Sequence, residues 1–112
     1  KIQHHPRLRG SFPRALGVYV RQRKVVSLPE MIRKMTSMPA AVYGLKNKGL
    51  VRENMDADLC VFDPETIVDR ADFADPAKHC EGLDYVIVGG KVAAVDAVAT
   101  GEMGGKLLYR DL

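Results

Sequence analysis

Near residue 50 the spacing of the apolar residues changes, and no other feature limits the fold as strongly. Before that point hydrophobic side chains recur at helical intervals. After it they fall in short runs bounded by turn residues, as strands do. The 112 residues suffice for one globular domain with a single core and are too few for two ordinary ones.

In the first half, Lys1 to Gly10 has no period and reads as a loop, with Pro6 pushing His5 toward extended geometry. Ser11 is placed to cap a helix, Pro13 suits a first turn, and Phe12, Leu16, Tyr19 and Val20 share one face, which predicts a helix over about residues 12 to 24. Ser27-Leu28-Pro29-Glu30 is a capping box, and Leu28, Met31, Ile32 and Met35 form the apolar face of the helix that it opens. Pro39 predicts a break after Met38, followed by another turn, Ala40 to Tyr43, closed by Gly44 in a left-handed conformation.

In the second half, Ala57 to Asp63 reads as a strand buried on both faces, with Cys60 a small buried hydrophobe. Tyr85 to Val88 and Lys91 to Val95 flank Gly89-Gly90, a tight hairpin turn. A last strand is expected over Lys106 to Arg110, after the glycine-rich turn Gly101 to Gly105. Glu65 to Gly82 is polar and acidic and reads as a long surface loop. The boundary lies at residues 45 to 55, and the chain has no internal repeat.

Charge divides at the same place. Lys1 to Arg52 holds 12 Lys and Arg against one acid, net +11, and Glu53 to Leu112 holds 5 against 13, net −8. The basic half could meet phosphates. Aromatic residues are only 6% of the chain and no nucleic-acid motif is present, so solvated helix faces explain the charge better. Two cysteines without a signal peptide suggest a reduced, cytoplasmic protein, and no apolar run reaches the length of a membrane span. The sequence opens inside a basic loop and without Met, as expected of a fragment.

Candidate chemistry is sparse. His4-His5 and His79-Cys80 are the only imidazole and thiol pairs, and neither carries the ligand spacing of a zinc site, so no metal ligand is assigned. Ser11, Ser27 and Ser37 are explained by helix capping and backbone hydrogen bonding, and the glycine pairs do not open a helix after a strand as a phosphate loop would. No catalytic residue is assigned either.

His5-Pro6-Arg7 followed by Gly10 to Gly17, then Ile32 to Ala40, then Ala57 to Ile67, Asp69-Arg70-Ala71, Phe73, Asp75-Pro76, Glu81-Gly82 and Tyr85 to Val92, resembles in order and spacing the C-terminal part of the N-acyl-D-amino-acid deacylases, or D-aminoacylases, of the amidohydrolase superfamily. One departure is Gly89, where the family commonly has Asn in its Val-Asn-Gly-Lys hairpin. Both residues tolerate positive φ, so the turn survives.

The resemblance implies an α+β fragment. Residues 1–52 would be the loop and helices closing a metal-dependent (β/α)8 barrel, and residues 53–112 antiparallel strands of a small β domain. It implies a zinc enzyme that hydrolyses N-acyl-D-amino acids to a carboxylate and a D-amino acid, the metal activating water and polarising the acyl carbonyl. The family's metal ligands and catalytic Asp fall upstream of Lys1, so this chain alone is expected to be inactive, to bind no zinc and to need the N-terminal remainder of the enzyme. His5 and Arg7 fall nearest the active-site mouth, as a substrate-facing or loop-ordering pair, with Arg7 suited to a carboxylate. The competing reading is a non-catalytic interaction module that uses its basic helical face or an open sheet edge and forms a homodimer by strand pairing. Neither reading involves a membrane.

Overall fold

The computed structural model describes residues 4–110. Its first helix begins at Arg7, inside the segment expected to be a loop. Pro6 takes helical angles at its N-terminus, and His5 Nδ1 accepts from the Arg7 amide at 3.1 Å. Helix α1 (Arg7–Arg14) therefore starts five residues before the expected position. Ser11 does not cap it, because its hydroxyl donates back to the Arg7 carbonyl at 2.7 Å from within the helix. Pro13 lies near the end of α1 rather than in a first turn, and the helix continues as a wider π-helical segment, Ala15–Gln22, whose exit is marked by the Arg23 amide donating to the Val18 carbonyl.

Helix α2 (Leu28–Met35) opens as the capping box predicts on one side only. The Ser27 hydroxyl accepts from the Glu30 amide at 3.3 Å, while the Glu30 carboxylate forms a two-point pair with Arg33 at 2.7 and 2.8 Å. The break comes at Thr36, earlier than expected. Pro39 has no amide hydrogen for the Met35 carbonyl, so the helix ends one turn before the proline and α3 (Ser37–Tyr43) contains it. Gly44 closes α3 with φ of 71°, as the sequence predicts.

After a loop come four antiparallel strands in sequential order, β1 (Leu59–Phe62), β2 (Leu83–Val88), β3 (Lys91–Val95) and β4 (Val98–Ala99). Gly89 and Gly90, at φ of 58° and 79°, make the β2–β3 turn as expected. The strand expected over Lys106 to Arg110 is absent. Instead β4 forms through a second tight turn, Asp96-Ala97, at φ of 49° and 64°. The chain then crosses the hairpin tip, where Gly104 lies directly against the Val88 carbonyl with no room for a Cβ, and it runs on beside Gly44.

Strand β1 is not buried on both faces. It pairs with β2 alone among the described residues, and Cys60 and Val61 are exposed. Partial burial still desolvates the Cys60 thiol and pushes its pKa up. Helices and sheet meet on the segment expected to be surface loop. Ile67 is 2% exposed, its backbone lying between Gly17 of the π-helical segment and Gly82, and with Leu16 and Ala40 it is the buried apolar core. A single antiparallel bridge, Val68 with Glu81, ties off the rest of that loop.

Three acids of the second half serve its turns. Asp63, Asp69 and Asp72 each accept a backbone amide two or three residues ahead, at 2.9, 2.8 and 2.7 Å. Across the boundary the basic half donates mostly to backbone. Arg21 bonds the Pro64 and Ile67 carbonyls at 3.0 and 2.7 Å, and Arg9 bonds the Ala77 carbonyl at 3.4 Å.

Candidate functional site

The segment His5 to Gly10 leads into α1 with both of its candidate side chains exposed. The imidazole of His5 has two fixed contacts. Its Nδ1 accepts the Arg7 amide, which puts the ring proton of the neutral form on Nε2. The ring also meets Phe73 edge to face, with centroids 5.1 Å apart and planes at 79°. Arg7 makes no ion pair among the described residues. The helix-start bond ties the His5 ring to the backbone of Arg7 rather than to its guanidinium, and the ring contact adds Phe73, which the resemblance includes but periodicity does not tie to His5.

A second polar cluster lies at the hairpin tip, in an open cleft of about 520 Å³ that shares no lining residue with the His5 segment. Lys48 bridges Asp56 at 2.9 Å and pairs closely with Asp58, whose other oxygen accepts from the Gly89 amide at 2.8 Å. The Lys48 ammonium and the Gly89 amide hold the Asp58 carboxyl below the usual carboxylate range, and Asp58 and Asp56 push Lys48 above its ordinary value. Both groups are thus driven away from neutrality, which makes them poor proton carriers at pH 7 and a good strut between the 44–58 loop and the hairpin. Burial raises both cysteine thiols, so neither is activated as a nucleophile.

The described residues offer no ligand set for a metal. No group of three or more His, Cys, Asp or Glu side chains lies close enough together to hold one. Nor is any helix among them long and apolar enough to cross a membrane.

Residues 1–94 match the family model of the amidohydrolases. The chain belongs to the amidohydrolase family. Among relatives in that family, N-acyl-D-glutamate deacylase of Alcaligenes xylosoxydans xylosoxydans is 39% identical over 107 residues, 96% of this chain and 22% of its own length. A crystal structure of D-aminoacylase, reported to define a novel subset of amidohydrolases, superposes with a TM-score of 0.93 at 41% identity, over 96% of this chain and 23% of that one. The Bordetella bronchiseptica N-acyl-D-glutamate deacylase, solved with zinc and a phosphonate mimic of the tetrahedral intermediate, gives a TM-score of 0.80 at 37% identity, over 87% of this chain and 21% of that one. The chain thus spans under a quarter of the length of these amidohydrolases, and its α+β fold is the fold of the matching part of D-aminoacylase.

Proposed function

We propose that this chain is the C-terminal part of a metal-dependent N-acyl-D-amino-acid deacylase and that the groups performing the hydrolysis lie in the remainder of the enzyme. The observation that carries this reading is surface left unburied, large apolar side chains among it. A folded monomer of 12.4 kDa exposes about 6,100 Å², whereas this chain exposes 8449 Å². An excess of about 2,300 Å² on one partner is enough for a permanent interface, which buries about 2,000–5,000 Å² counted over both partners. It includes Leu8 and Phe12 on α1 and Val42 and Tyr43 at the end of α3, each more than 60% exposed. The radius of gyration agrees, at 14.9 Å against about 13 Å for a self-contained domain of this length.

In this reading residues 1–52 supply the loop and helices that close a (β/α)8 barrel, and α1 and α3 turn their bare apolar faces to it. Residues 53–112 supply strands of the small β domain, and the free edge of β1 pairs with a strand from elsewhere in the enzyme. Zinc is held by the remainder, where it would polarise the scissile amide. This chain's own part in the reaction is to place His5 and Arg7 at the substrate mouth and to hold that mouth rigid through the Ile67 core. The enzyme acts in the cytoplasm on N-acyl-D-amino acids.

The test is turnover by the chain alone. Incubated with zinc and N-acetyl-D-amino acids, it releases D-amino acid no faster than buffer does. Release at enzyme-like rates would place the catalytic groups inside these residues and overturn the proposal.

Among the described residues the outer edge of β1 is unpaired, which favours one other reading, a homodimer made by strand pairing. Light scattering that gives a monomer at high concentration removes it.

A further inference from the structure

The segment between the bridge residue Val68 and Lys78 touches the start of α1 at three places. Phe73 meets the His5 ring, the Ala77 carbonyl accepts from the Arg9 guanidinium at 3.4 Å, and the Asp69 carboxylate lies directly against Gly10, in the space that a Cβ there would need. The segment is itself ordered. Asp69 and Asp72 accept the Ala71 and Asp75 amides, the Asp72 amide donates to the Asp75 carbonyl, and the Lys78 amide donates to the same carbonyl, folding the stretch into consecutive turns. Phe73 stands at its tip. At 75% exposed it contributes nothing to the core, and His5 is its one ring contact among the described residues.

We propose that residues 69–77 form a strap that fixes the His5–Gly10 segment, and that Phe73 is a positioning residue for the His5 imidazole. The step to function rests on the reading given above, in which His5 faces substrate in the complete deacylase. With Nδ1 occupied by the Arg7 amide, the ring has one hydrogen-bonding group left, the Nε2–H donor. Rotation of the ring would break the Nδ1 bond and re-aim that donor. The aromatic contact with Phe73 opposes the rotation, so the strap sets the direction in which His5 can serve a substrate acceptor. Gly10 is part of the device, because a side chain there would displace the Asp69 carboxylate that accepts from the Ala71 amide at the start of the strap.

The strap is tested in this chain by NMR of the histidine ring signals, with His5 assigned through His5→Gln. Phe73→Leu keeps apolar bulk but removes the ring, and Phe73→Tyr keeps the ring. The expected result is that Phe73→Leu moves the His5 ring signals, leaves those of His4 and His79 in place, and speeds amide exchange at Leu8 to Gly10, while Phe73→Tyr restores both. His5 signals and exchange rates unchanged in Phe73→Leu would overturn the strap.

The positioning role is tested in the complete enzyme. Phe73→Leu raises KM for an N-acetyl-D-amino acid by about threefold to tenfold, the range expected for one aromatic edge contact, with kcat within about twofold, and Phe73→Tyr recovers the KM. An unchanged KM in an enzyme that turns over this substrate would overturn that role. A wild-type enzyme that leaves N-acyl-D-amino acids untouched would instead defeat the functional reading, and the NMR result would still decide the strap.

Discussion

Replacing Gly17 with alanine sets two effects against each other, and the geometry says which wins. Gly17 lies in a helical segment, where alanine is preferred over glycine by about 1 kcal/mol. The added Cβ would stand 2.8 Å from the Ile67 carbonyl oxygen and 3.5 Å from the Val68 Cα. To restore an ordinary van der Waals contact, helix and loop must separate by about 0.6 Å. The carbonyl cannot simply retreat, because it accepts from Arg21 at 2.7 Å and belongs to the most buried residue of the core.

Overpacking of this kind costs about 1–3 kcal/mol, and weakening a charge-assisted hydrogen bond adds a further part of about 1.5–3 kcal/mol. After the gain in helix propensity, the net loss is about 1–3 kcal/mol. For a domain of this size that lowers Tm by roughly 5–20 °C. Thermal and urea unfolding followed by circular dichroism measure it directly. A double-mutant cycle with Arg21→Met gives the mechanism. Once Arg21 no longer holds the carbonyl, Gly17→Ala costs at least about 0.5 kcal/mol less. A Gly17→Ala chain as stable as the wild type, or more stable, would refute the close approach of helix to loop.

Two further outcomes follow, one from the same core and one from the hairpin tip. Ile67→Ala removes the side chain that joins helices to sheet and costs about 2–5 kcal/mol in urea unfolding, whereas a loss under about 1 kcal/mol would mean that the residue is not core. Asp58 has a folded-state pKa held down by Lys48 and the Gly89 amide, so its stabilising contribution is complete above about pH 4 and disappears as pH falls through the folded value. Asp58→Asn therefore lowers the urea midpoint at pH 7 and makes the difference from wild type shrink toward pH 2. A gap that stays constant with pH would show that the Lys48–Asp58 strut is not ionic.

Local chemistry was readable where a residue type meets one backbone need. Gly44 and the Gly89-Gly90 pair take the left-handed angles that their positions require, and Ser27 caps α2. The reading failed where a residue does something its type rarely does. Ala97 adopts positive φ, which hid the β3–β4 turn, and a histidine nitrogen rather than Ser11 satisfies the first amide of α1. It failed again where tertiary contact overrides local pattern. Ile67 sits in a polar, acidic stretch, and only packing against Gly17 and Gly82 makes it the centre of the core.

At the candidate site, the resemblance singled out His5 and Arg7, but the contact of His5 with a side chain 68 positions away leaves no trace in spacing. The charge division, in turn, proves to have two unrelated sources. Three of the acids, Asp63, Asp69 and Asp72, hold turns, and three of the basic residues, Arg9, Arg21 and Lys48, reach across to backbone or carboxylate.

The central claim is that these residues complete an active site whose working groups lie elsewhere, and a chimera tests it most directly. In D-aminoacylase, the matching 23% of the chain is replaced by this sequence, and hydrolysis of N-acetyl-D-amino acids is measured with and without zinc. The chimera is expected to be a folded, zinc-dependent deacylase, and D-aminoacylase lacking that part to be inactive. A chimera that folds and binds zinc but does not hydrolyse the amide would contradict it.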